Sequence, residues 1–188
     1  MSNRTYISVI ISFFLYVLFQ VLLFKNFILF NTAFCFLYVA FILLLPLEIG
    51  PLVLMIIAFV TGFVIDIFYD SIGINAASSV FIAFLRPYWL RTITPRGGYE
   101  EIEIPNLKTM DFGWFLTYSM PLLFIHHFVL FFLESGGFDL FWFTLSKVFF
   151  STILSFFVIV LTQYLFYKKA VWSWKTTGNI LFNLFLFW

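Results

Sequence analysis

PLVLMIIAFVTGFVIDIFYDSIGINAASSVFIAFLRPYWL, residues 51–90, holds two apolar runs hinged on a short turn. The first, Leu52 to Phe68, ends in Tyr69-Asp70-Ser71-Ile72-Gly73; the second starts at Asn75 and ends near Leu90, with Arg86 and Arg91 flanking that end. Each run approaches the ~20 apolar residues that carry a helix across a bilayer. A turn this short folds the two helices back on each other as a hairpin. Within the first run Ala58, Gly62, Asp66 and Asp70 recur every four residues, one face of a helix, and Gly73 continues the stripe past its end. The second run answers with Ala76, Ser79, Ala83 and Arg86. Lipid is as apolar as Leu, so helices in a bilayer associate through small residues that admit close approach and polar groups that bond across. The stripes therefore mark a packing face or a partner interface.

Composition extends this reading to the whole chain. Of 188 residues 63% are hydrophobic and only 10% charged, and mean hydropathy is +1.07. A soluble enzyme, a disordered linker and a nucleic-acid binder are excluded. Net charge is +1, and the single Cys35 cannot close a disulfide within the chain.

Apolar runs over about 6–24, 28–45, 52–68, 75–90, 112–133 and 140–167 predict an all-α bundle of six transmembrane helices forming one integral membrane domain over 1–188. Pro46, Glu48, Gly50 and Pro51 separate the second and third runs, and Glu134, Gly136, Gly137 and Asp139 the last two. The first run has no small-residue cleavage site after it and reads as an uncleaved span. With six spans both ends share a side. That side holds Arg4, Arg86, Arg91, Arg96, Lys108, Lys168, Lys169 and Lys175, leaving Lys25 and Lys147. Positive residues stay inside, so both termini are expected in the cytoplasm. Residues 168–188, with Trp172 and Trp174, are too short to cross and are expected in the headgroup plane, in contact with membrane lipids. Polar stripes recur in the first run (Ser8, Ser12, Tyr16, Gln20) and the sixth (Lys147, Ser151, Ser155, Thr162).

Ionisable residues inside apolar runs are costly and must face a partner or water. Asp66, His126, His127 and Lys147 fall at similar depths from the outer end, which predicts one buried polar cluster with an Asp66 to Lys147 ion pair at its simplest. A clamp between helices, a ligand or partner site, and a proton relay or catalytic site are the alternatives for it. His127 and Glu134 share a helix face two turns apart, a weak metal set, and no P-loop, nucleotide fingerprint or hydrolase motif is present. No catalytic residue, metal or cofactor is expected. The segment 91–111 is a long cytoplasmic connection. Its Arg96 sits in a turn suited to lipid headgroups, and the alternation through Glu101 and Glu103 could pair with a partner as an edge strand or lie as a surface ribbon.

The stretch TGFVIDIFYDSIGINAASSVFIAFLRPYWL resembles the bacterial rod shape-determining protein family MreD. A glycine four residues before an intramembrane aspartate, a turn with Ser and Gly, then a polar residue and small residues are the shared pattern; here they are Gly62, Asp66, Ser71, Gly73, Asn75, Ala76 and Ala77. Asp70 falls where a small residue is expected, and Asn75 where a histidine is frequent. The resemblance implies a non-enzymatic scaffold or adaptor of the cell-wall elongation machinery (the elongasome of peptidoglycan biosynthesis) in the bacterial inner membrane. Its implied partners are an MreC-like single-span periplasmic protein and, through the assembly, MreB, RodA and a penicillin-binding transpeptidase. It also implies a fold like the six-helix substrate-binding subunits of energy-coupling-factor transporters, from which the alternative function follows: a binding subunit for a vitamin or other small molecule. Thin outer connections and Phe-rich walls weigh against a lidded ligand site.

Overall fold

The computed structural model describes residues 3–30, 32–95, 98–99 and 104–173, with the side chains of 3–6 and 166–173 excepted. Helix α1 (Asn3–Phe19) continues into a π-helical turn, Gln20–Phe24. Two short strands follow, β1 (Ile28–Leu29) and β2 (Ala33–Phe34), antiparallel with Ile28 opposite Phe34 and Leu29 opposite Ala33. The remaining elements are helices: α2 (Tyr38–Leu43), α3 (Pro51–Tyr69), α4 (Ile74–Thr92), α5 (Phe112–Glu134) and α6 (Phe141–Ser173). Helix α3 packs on α4, α4 on α5 and α5 on α6, while α1 packs on α2 and α3.

The protein is thus a helical, multi-pass membrane protein. Among the described residues four stretches are long and apolar enough to cross a bilayer: Ile7–Phe24, Pro51–Tyr69, Phe112–Glu134 and Phe141–Leu165. Helix α4 is as long as α3, but Asn75, Ser78, Ser79 and Arg86 dilute its apolar character, all four facing inward. The sixth run is helical to Ser173, past the expected start of the interfacial tail at 168, and residues 174–188 lie outside the described residues.

The second run departs most from expectation. Instead of one helix over 28–45, the chain forms the β1–β2 hairpin, an extended stretch and a helix of six residues. Every residue from Cys35 to Pro46 is buried. A short apolar run buried on all sides has no amphipathic period, so sequence cannot tell helix from extended chain there. Gln20 donates to the Tyr69 hydroxyl at 2.6 Å, which sets the C-terminal ends of α1 and α3 side by side. Residues 25–50 therefore run from one end of the bundle to the other by this broken path.

A broken path through an apolar interior leaves peptide groups without helical partners, and side chains of the surrounding helices supply them. Gln20 donates to Cys35 O at 3.0 Å and accepts from Tyr38 N at 3.2 Å. On α6, Ser151 and Ser155 accept from Phe34 N at 2.9 Å and Phe36 N at 3.0 Å. At the far end Arg86 donates through Nη2 to Leu43 O and Leu45 O and through Nε to the Tyr118 hydroxyl, which donates to Leu43 O at 2.7 Å. The polar stripes of the first, fourth and sixth runs thus serve the broken second one.

The α3–α4 hairpin closes at Gly62, with three corrections to the expected stripe, at Asp70, at Ala77 and at Gly73, where a Cβ would meet nothing within 4 Å. A Cβ on Gly62 would lie 2.5 Å from Ala76 Cα and 2.6 Å from Asn75 O, so the two backbones touch where only glycine fits. Ala58 and Asp66 are buried on the same face. Asp70 leaves the stripe: it caps α3 in the left-handed conformation (φ 53°), donates its N–H to Asp66 O and is exposed. Ala77 is also exposed, one position round the helix from the contact. Gly73 caps the start of α4 at φ 76°, a conformation that favours glycine.

Gly62→Ala is expected to cost about 1–3 kcal/mol by overpacking, and Gly62→Leu to abolish the folded monomer. Thermal unfolding in detergent, followed by size exclusion, measures both; a Gly62→Leu protein that runs and melts like wild type would show that the seam is not closed by α4.

Candidate functional site

The first turn of α4 leaves N–H groups without helical acceptors, and the tight turn after α3 aims them at Asp66. Its Oδ1 accepts from Ser71 Oγ (2.5 Å), Asn75 N (3.0 Å) and Asn75 Nδ2 (3.0 Å), and its Oδ2 from Ala76 N (2.9 Å). The carboxylate is 3% exposed. An anion at a helix N-terminus is stabilised by the aligned peptide dipoles as well as by these donors.

The chain of polar contacts continues inward. Asn75 gives its amide nitrogen to Asp66 and to Ser71 Oγ (3.0 Å), so its Oδ1 faces the Tyr38 hydroxyl at 3.1 Å. Tyr38 also meets His126 Nε2 at 2.9 Å and Ser79 Oγ at 3.4 Å. Donor arithmetic orders these contacts. The single phenol proton goes to Asn75 Oδ1, so His126 carries its proton on Nε2 and donates to Tyr38. Every donor from His126 onward then points toward Asp66. His126 Nδ1 is buried and has no hydrogen-bond partner among the described residues.

His127 belongs to a separate branch and has the opposite tautomer. Its Nδ1 lies 2.6 Å from Leu123 O, which can only accept, so Nε2 is bare and accepts from Ser155 Oγ at 3.2 Å. Phe36 separates the branches, its ring 6.2 Å from His126 and 5.4 Å from His127. With both nitrogens engaged and Glu134 exposed, the His127 and Glu134 pair forms no metal site. No cluster of three or more metal-ligating side chains occurs among the described residues.

The expected cluster is thus joined in part. Asp66 and His126 connect through Asn75 and Tyr38, His127 lies beside them, and Lys147 stands apart. Lys147 Nζ faces the rings of Phe143, Phe34 and Phe131 at 5.2, 5.6 and 5.9 Å. The Asp66 to Lys147 ion pair is not formed: Asp66 is bonded by Ser71, Asn75 and Ala76, and Lys147 faces aromatic rings instead. Tyr38 is the central residue that reading by runs misses; a lone phenol inside Phe34–Leu45 is the signal that could have found it.

In the connection after α4, Tyr99 donates its hydroxyl to Leu90 O at 3.0 Å and packs edge-on to Trp114. Burial raises its pKa, with hydrogen bonds to Thr94 and Trp114 opposing the shift. Arg96, Glu101 and Glu103, expected to make loop contacts, lie outside the described residues.

Asp66 accepts from four donors, three on Oδ1 and one on Oδ2, and is 3% exposed, so it is a poor general base. The site defines a membrane helical bundle pinned by a directional polar chain. No family model, curated protein or solved structure matches this chain.

Asp66→Asn is expected to destabilise the protein by about 1–3 kcal/mol, since an amide cannot accept all four bonds. Lys147→Met is expected to leave stability nearly unchanged, and the double variant to be additive. Denaturation in detergent measures the cycle; coupling above about 0.5 kcal/mol would indicate pairing after all. Tyr38→Phe, which unlinks Asn75 from His126, is expected to lower stability by about 1–3 kcal/mol on the same assay, whereas an unchanged midpoint would show the chain to be energetically idle.

Proposed function

We propose that this protein is a non-enzymatic scaffold of the bacterial cell-wall elongation machinery, holding rod shape by binding a single-span periplasmic partner. One observation carries the reading: Gly62, Asp66, Ser71, Gly73, Asn75 and Ala76, six of the seven residues behind the resemblance to MreD, act together as one unit, with Ala77 outside it. Glycine allows the backbone contact, aspartate caps the returning helix, and serine and asparagine lock the cap. A motif of this kind supports a rigid platform rather than a reaction centre.

On this reading the Gly62 seam is internal, and the partner's helix docks on a lipid-facing surface. The outward side of α3, with Leu52, Ile56, Phe59, Phe63 and Ile67 exposed, supplies a continuous stripe for it. The broken path of residues 28–45 serves as the second of six crossings, which puts both termini on the cytoplasmic side of the inner membrane, in keeping with the lysine and arginine distribution. The further likeness to transporter binding subunits stays with this reading as one of fold.

Purification of the tagged protein from formaldehyde-crosslinked cells, followed by mass spectrometry, is expected to enrich a single-span periplasmic protein together with wall polymerases. Recovery of paired ATPases with a coupling membrane subunit would replace the scaffold by a transporter's binding subunit.

A further inference from the structure

The β1–β2 hairpin lies along α6, and between them runs a groove of about 400 Å³ walled by Leu29, Phe30, Ala33, Phe150, Leu154 and Phe157. Among the described residues of its wall the one hydroxyl, on Thr32, is taken up by Phe30 O at 3.0 Å. Phe30 stands at the lip, 89% exposed, on a backbone held at φ 51°. That conformation is a rare one for a bulky residue and costs free energy unless something else compensates.

Lys147 sits one turn from the groove on the same face of α6, three residues before Phe150 and seven before Leu154. Its ammonium has aromatic rings around it, and no oxygen of the described residues accepts from it. Ring faces attract a cation but accept none of its three N–H bonds in the way a phosphate oxygen does. A half-buried ammonium next to an apolar groove is a matched pair of features, one for a negative head and one for a chain.

We propose that the hairpin and α6 bind one anionic membrane lipid, its phosphate on Lys147 and one acyl chain in the groove. Polarity supports this orientation. Lys147 lies six residues, about 9 Å, inside the first residue of α6, and the groove continues from there toward the middle of the helix. A lipid bound this way has its head toward the end of the bundle and its tail toward the bilayer centre. The groove's size, about 400 Å³, falls within the ~300–1,000 Å³ range of small-ligand sites, and the cation at its end complements a phosphate. The site requires only that the bundle lie in a bilayer and stands independently of the scaffold reading.

Native mass spectrometry of the purified full-length protein, titrated with phosphatidylglycerol or phosphatidylcholine of identical chains, tests the site. Wild type is expected to retain one phosphatidylglycerol per chain with about fivefold preference. Lys147→Gln is expected to lose the preference while still retaining lipid. Ile153→Trp, filling the groove from a position that is 44% exposed, is expected to lose retention of both lipids, with the melting temperature checking that each variant is folded. Equal retention of the two lipids by wild type, or an undiminished preference in Lys147→Gln, would overturn the proposal. So would unchanged retention in folded Ile153→Trp.

Discussion

A stretch of backbone broken into a two-residue strand, an extended segment and one short helix crosses the interior of this bundle, and the peptide groups outside the helix must find partners there. A buried amide left unbonded costs several kcal/mol in an apolar medium. The solution is distributed. Gln20 from the π-helical end of α1, Ser151 and Ser155 from α6, Tyr118 from α5 and Arg86 from α4 each reach one or two groups of residues 34–45. The π-helical turn begins at Gln20 itself. Four helices are thereby tied to one central strand of chain, and their mutual positions follow from it.

The same economy governs the buried charges. Among the described residues neither Asp66 nor Arg86 relies on an ion pair. Asp66 meets the N-terminal peptide groups of α4, and Arg86 meets the carbonyls beyond the C-terminal end of α2, so each charge lies against the helix end of opposite polarity. Pairing with a helix end avoids bringing a second ion out of water, whose desolvation often exceeds the Coulombic gain. It also leaves Lys147 uncommitted, which is why that residue is available to a ligand outside the protein.

A rigid interior is what the scaffold proposed above requires. The directional chain from His126 through Tyr38 and Asn75 to Asp66 joins α5, α2, α4 and α3, and each member is held by at least one neighbour. Such a network specifies one arrangement of helices. Interaction is left to the outer surface, where α3 presents its aromatic and aliphatic stripe and α6 presents the groove beside the hairpin.

Membrane residence, the helical class and the α3–α4 hairpin were legible in the sequence, because hydropathy and i+4 spacing are local properties. The close approach at Gly62 and the burial of Asp66 were legible in spacing, and the stripes at Gln20, Ser151, Ser155 and Arg86 were visible as stripes. What they bind was not. The run from Ile28 to Leu45 is as apolar as a span, and only tertiary packing decides that it is broken, since burial on every side erases the period that separates helix from extended chain. Tyr38 becomes central for the same reason, its partners lying on α4 and α5, 37 and 88 residues away. Likewise the choice between Lys147 and the end of α4 as the partner of Asp66 depends on a turn that brings N–H groups within 3.0 Å. Hydropathy and spacing report what a residue is and which face it shares; which group meets it across the bundle is set by the path of the whole chain.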